Sequence, residues 1–177
     1  MPEDYLVSAY DIMLHSSSDE GASRRSFRTN ITAATFNTGE PVTVVTNELV
    51  GSEGSPGGVD PVSIDGIAME PAVSTSNRMA ALEIEDTGRL VELADPNKVF
   101  RARYFAINGA GTHVTPTFAA VSGVLGNLVH DGTNWSFDTG AANLNCVGID
   151  VLDADGKRLG DDLETSGTGD TVLFRFV

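Results

Sequence analysis

The 177-residue chain is acidic, with 25 Asp and Glu against 11 Lys and Arg and a formal net charge of −14. Nucleic-acid affinity rests on Lys and Arg displacing counterions, so this balance argues against direct binding to nucleic acid or to anionic lipid. Apolar residues make up 41% of the chain, enough for one buried core, and no apolar run approaches a membrane-spanning length. Met1-Pro2-Glu3-Asp4 is acidic where a secretory signal is basic, so the chain is expected to mature without export and to reside first in a cytoplasm.

The first stretch, through residue 38, differs from the rest. Tyr5-Leu6-Val7, Tyr10 and Ile12-Met13-Leu14 supply apolar anchors without a helical stripe, and Ser16-Ser17-Ser18-Asp19-Glu20-Gly21 reads as a polar turn. Arg24, Arg25 and Arg28 then form the densest positive cluster in the chain. This reads as an extended N-terminal arm, or one short strand plus a loop, preceding a single β-rich domain at 39–177.

From Gly39 onward the pattern is that of strands. Pro41-Val42-Thr43-Val44-Val45 alternates, and a Gly-, Ser- and Pro-rich loop follows from Gly51 to Gly58. Ile64 to Met69, Leu82-Glu83-Ile84-Glu85 and Leu90-Val91-Glu92-Leu93 are further strand candidates, and Val99 to Ile107 alternates most clearly. Ser74 to Leu82 is the best candidate for a helix, of two turns at most. Asp131-Gly132 between apolar flanks predicts a hairpin, Val147, Ile149 and Val151 are placed on one face of a strand, and Val172, Phe174 and Phe176 on one side of a last strand. Short strands with close turns predict an all-β protein, a small β-barrel or β-sandwich. No convincing internal repeat is visible.

Motifs for chemistry fail on spacing. Cys146 is the only cysteine, which rules out an internal disulfide and a thiolate metal site, and its strand-like setting reads as a buried thiol. His15, His113 and His130 lack zinc spacing, Ser55 misses the nucleophile elbow, and Gly109-Ala110-Gly111 is not completed to a dinucleotide fingerprint. Asp153-Ala154-Asp155-Gly156 resembles the middle of a calcium loop, but Val151 stands at the first ligand position, and a hairpin tip is the better reading. Trp135, Phe137, Tyr104 and Phe118 are candidates for a sugar platform, although alternation turns most of them to a core. No catalytic residue, metal ligand or cofactor site is assigned, and the chain is expected to bind rather than catalyse. Arginine pairs with carboxylates while its stem packs, so Arg24, Arg25 and Arg28 are candidate partner contacts, with Tyr5 and Tyr10 beside them.

Gly39-Glu40-Pro41-Val42, Ile64-Asp65-Gly66-Ile67-Ala68-Met69-Glu70, Lys98-Val99-Phe100-Arg101-Ala102-Arg103 and Val147-Gly148-Ile149-Asp150 occur in an order that resembles the capsid decoration, or cement, proteins of tailed bacteriophages. The resemblance covers residues 39–177. It implies a small β-barrel or β-sandwich, often a homotrimer, that sits on the capsid exterior and bridges major capsid subunits without catalytic residues or a cofactor. It places the protein in the virion, assembled in the host cytoplasm. An arm used for attachment would be removable through Arg28 with the domain still folded. A carbohydrate-binding or adhesion β-sandwich, with Asp153 and Asp155 as possible calcium ligands, is the alternative, and a phage tail protein a third.

Overall fold

Alternating apolar residues and frequent Gly, Asn and Asp turns give a chain of short strands. The computed structural model describes residues 12–17, 24–29, 36–46, 48–52, 61–72, 89–104, 115–130, 135–162, 169 and 171–177. The fold is all-β. Strands β1 (Ile12–Ser17), β2 (Arg24–Thr29), β3 (Pro41–Val45), β4 (Glu48–Gly51), β5 (Gly66–Ala68) and β6 (Arg89–Leu93) come first. Strand β7 (Lys98–Tyr104), helix α1 (Phe118–Val121), β8 (Leu125–His130), β9 (Trp135–Asp138), β10 (Cys146–Leu152), a 3-10 turn at Leu159–Asp162 and β11 (Thr171–Phe176) follow. Residues 74–82, where the sequence suggests a helix, and Leu82–Glu85 lie outside the described residues. The single turn of α1 was not expected. Thr117 caps it by accepting from the Ala120 amide at 3.3 Å.

Strands β2, β4, β3, β5 and β6 close into a first barrel in that order, around Val42, Leu49, Ala68 and Val91. The second sheet runs β1-β7-β11-β10-β8-β9, and a β7–β9 pairing joins β7 to the far end, closing these five strands into a ring with β1 added beside β7. Its core holds stacked and edge-on rings of Phe100, Phe137, Phe174 and Phe176.

The two rings have the same topology. With strands counted from the start of each, the order around both is first, third, second, fourth, fifth, and the first–third pairing alone is parallel. The register also agrees. Ile67 stands opposite Pro41 and Glu92, as Val147 stands opposite Leu125 and Arg175. Three residues along from Pro41 and Leu125, Val44 faces Leu49 as Leu128 faces Phe137. Leu49 then pairs with Thr29 as Phe137 pairs with Tyr104. Four residues back, Arg25 pairs with Val91 as Phe100 pairs with Phe174. Val91 and Phe174 lead to Ala68 and Gly148, the neighbours of the starting pair. The circuit closes without a slip of one residue, so the chain builds one barrel topology twice. The repeat is one of strand pairing, which the sequence, without a convincing internal repeat, does not display. The side chains at equivalent core positions differ in volume, Val44, Leu49, Val91 and Leu93 against Leu128, Phe137, Phe174 and Phe176, and the repeat persists in pairing rather than in residue identity.

The stretch read as an arm is, in its described parts, built into both sheets. β1 pairs along β7 from Ile12↔Ala102 to Ser17↔Lys98, and β2 closes the first barrel between β6 and β4. Removing residues through Arg28 would therefore open the first ring, contrary to the expectation that the domain would stay folded without them. A second difference concerns β10. Its register to β11 shifts between Gly148 and Asp150, and this bulge breaks the two-residue alternation. Val151 consequently enters the core while Val147 and Ile149 stay half-buried, so the three do not share one face. The alternation of Val172, Phe174 and Phe176 into the core holds as expected.

Candidate functional site

The seam between the barrels is the best-defined polar and apolar junction. Strand alternation sends Ala68 into the first barrel's core and Ile67 the opposite way, where it joins the core cluster of the second. Glu92, opposite Ile67 on β6, shares that outward face. It is almost wholly buried, as is Lys98 at the start of β7, and the two form an ion pair. Nearby, the Pro61 carbonyl accepts from Asn127 Nδ2 at 2.9 Å and from Asn145 Nδ2 at 3.2 Å. Asn145 Nδ2 also reaches Asn127 Oδ1 at 3.2 Å. A fully buried asparagine needs such partners, because an unmet amide costs roughly 1–3 kcal/mol. Ser136 Oγ, on β9, is buried without a hydrogen-bond partner.

Side chains that sequence reading weighed for chemistry are placed in scaffold roles. Cys146 is buried in the second barrel, and desolvation pushes its thiol pKa well above the ordinary thiol range. Asp153 Oδ1 accepts the amides of Asp155 at 3.0 Å and Lys157 at 2.8 Å, so this carboxylate shapes its own turn. Asp150, buried on β10, accepts the Val151 and Gly160 amides on Oδ1 at 2.8 and 2.9 Å, and its Oδ2 lies 3.2 Å from Arg158 Nε. Among the described residues no group of three or more His, Cys, Asp or Glu side chains could hold a metal ion. Among the same residues no helix is long and apolar enough to cross a membrane.

His130 packs edge-on to Trp135 with ring centroids 5.2 Å apart, and His15 is exposed on β1. His113, Ser55 and the Gly109–Gly111 loop lie outside the described residues. Trp135, Phe137 and Tyr104 are buried and Phe118 packs against the same core, so these four form no exposed sugar platform. Of the proposed partner contacts, Tyr5 and Tyr10 lie outside the described residues. The backbone of β2 sets Arg24 opposite Glu92, Arg25 opposite Val91 and Arg28 opposite Glu48. The seam residues Ile67, Glu92, Lys98, Asn127 and Asn145 were not singled out from sequence. The one local signal was charge within strand patterns, Glu92 and Lys98 each beside β-forming residues.

A surface feature adjoins this seam. Leu125, Leu144, Val62 and Val177 are large hydrophobics left exposed, and three of them are tied to one residue. Leu144 precedes Asn145, whose Nδ2 reaches the Val62 carbonyl at 3.3 Å. The Val177 amide donates to the Asn145 carbonyl at 3.0 Å. Leu125 stands opposite Val147, two residues further along β10. In comparisons with protein families, with curated proteins and with solved structures, the chain matches none.

Proposed function

We propose that this chain is a structural virion protein that decorates the exterior of a tailed-bacteriophage capsid and bridges major capsid subunits. The observation that carries a binding role is how the reactive side chains are used. Cys146 is buried, Glu92 and Lys98 neutralise each other, and Asp150 and Asp153 hold backbone amides. Large apolar side chains are meanwhile left on the outside, which supports a docking role. The capsid as partner rests on the resemblance. Its four stretches cover the entry to β3, strand β5, strand β7 and the middle of β10, the parts that shape both barrels. The acidic composition suits a shell exterior, away from packaged nucleic acid.

Co-sedimentation with purified capsids that lack decoration tests this reading. The full chain is expected to pellet with capsids at a fixed ratio to the major capsid protein. Arg24→Glu, Arg25→Glu and Arg28→Glu are expected to weaken pelleting if the cluster makes charge-assisted contacts. Point changes replace truncation here because β2 is a strand of the first ring. A chain that stays in the supernatant with every capsid offered would sink the proposal.

A further inference from the structure

The two rings differ at one edge. In the second ring, β11 runs along one edge of β7. The other edge is shared end to end by β1, at residues 98–102, and by β9, at Arg103 and Tyr104. In the first ring β2 stands where β7 stands. There β6 runs along one edge of residues 24–27, and β4 takes the other edge only at Arg28 and Thr29. The shared register matches Arg24, Arg25, Ser26 and Phe27 with Val99, Phe100, Arg101 and Ala102. β1 pairs with all four of those β7 residues. Among the described strands none takes the corresponding place beside β2. The edge that carries an added strand in one ring therefore lacks it in the other.

We propose that residues 24–27 of β2 accept an extended segment of another protein as an antiparallel strand, with carboxylates at the positions opposite Arg24 and Arg25. Two observations select this occupant. An unpaired strand edge presents a row of backbone donors and acceptors that another strand can meet, and β1 on β7 shows that this topology takes an antiparallel one. The charge of the segment follows from the register. Opposite charges on facing strands stabilise a pair and like charges oppose it, and the first two positions of the edge are Arg24 and Arg25. The net charge of −14 counts for less at this edge, because charges beyond about 8 Å are largely screened at physiological salt. A β1 strand from a second copy fits poorly. In the register of β1 on β7 it would set Leu14 opposite Arg25 and Ser16 opposite Arg24, with no carboxylate at either position. The site is independent of the capsid, since a free peptide can fill it.

A labelled synthetic peptide of alternating Val and Thr, with Glu at two adjacent positions, is the probe. It is titrated by fluorescence anisotropy against the full chain. The Glu peptide is expected to bind, and a matching Lys peptide to bind about tenfold more weakly. Combining Arg24→Glu with Arg25→Glu is expected to reverse that preference. N-methylation of the amides along one edge of the Glu peptide is expected to abolish binding, and methylation along its other edge to leave binding intact. These peptide comparisons use the unaltered chain, so they decide the matter even where the double variant fails to fold. Hydrogen exchange with the Glu peptide bound is expected to slow at amides within residues 24–27 and to stay unchanged within residues 12–17. Equal binding of the two methylated peptides would overturn strand addition in favour of side-chain attraction alone. Equal binding of the Glu and Lys peptides would overturn the acidic partner. Tighter binding of a peptide of residues 12–17 would overturn it in favour of a strand from a second copy. No binding of the Glu peptide, or protection confined to other segments, would overturn the site itself.

Discussion

Cys146 sits on the inner face of β10 opposite Gly126 and Phe176, and burial raises its pKa from the ordinary 9.0. The consequence for stability has a definite sign. The unfolded chain releases the thiol proton above about pH 9 while the folded chain keeps it, so stability falls as pH rises beyond that value, by about 1.4 kcal/mol per pH unit. Cys146→Ala is expected to flatten this dependence relative to wild type, measured as urea midpoints between pH 8 and 10. Ellman's reagent is expected to react with Cys146 only after denaturant is added. Two glycines are equally specific. A Cβ on Gly66 would come within 2.5 Å of the Glu92 carbonyl oxygen, and one on Gly126 within 2.4 Å of that of Asp138. These contacts are with backbone, which cannot swing aside. Gly66→Ala and Gly126→Ala are each expected to cost about 1–3 kcal/mol in chemical denaturation.

At the scale of elements, the junction of β6 and β7 turns on the buried Glu92–Lys98 pair. Removing one partner leaves a buried charge uncompensated, which costs roughly 3–5 kcal/mol, whereas replacing both with apolar residues of similar volume is close to neutral. Lys98→Met alone is therefore expected to be strongly destabilising, and Glu92→Leu in the same chain to restore most of the loss. A double-mutant cycle in urea measures this directly. β1 makes a second tie, since it precedes the first barrel in the chain yet pairs with β7 of the second. The bulge between Leu14 and Ser16 marks where that pairing loses its regular alternation.

For the whole molecule, these ties predict joint unfolding. Trp135, the only tryptophan, lies in the second barrel's core and reports on that barrel, whereas far-UV circular dichroism reports on both. Ile67, the Glu92–Lys98 pair, the Pro61 contacts and β1 all cross the seam, so the two signals are expected to trace one transition in denaturant. Two separated transitions would show that the barrels unfold independently. The Lys98→Met variant is the one expected to separate them.

The sequence by itself determined the all-β class and several strands, because alternation at Val42–Val45, at Val99–Ile107 (of which Phe105–Ile107 lie outside the described residues) and at Val172–Phe176 is a local property of adjacent residues. The Asp131-Gly132 hairpin was legible for the same reason, and β8 and β9 flank it. Only the tertiary structure decided which strands meet. Ring closure joins residues as far apart as Tyr104 and Phe137 or Thr29 and Leu49, and no local preference encodes such a pairing. The repeated topology stayed hidden because a barrel constrains register and total core volume, not identity, so Phe can stand in one ring where Val or Leu stands in the other. The bulge in β10 had the same effect on a smaller scale, turning Val151 inward against the simple alternation. Local composition, a polar turn and a positive cluster without a helical stripe, marks Arg24, Arg25 and Arg28 as part of an attachment arm, whereas the pairing of β2 with β4 and β6 makes their segment a wall of the first barrel.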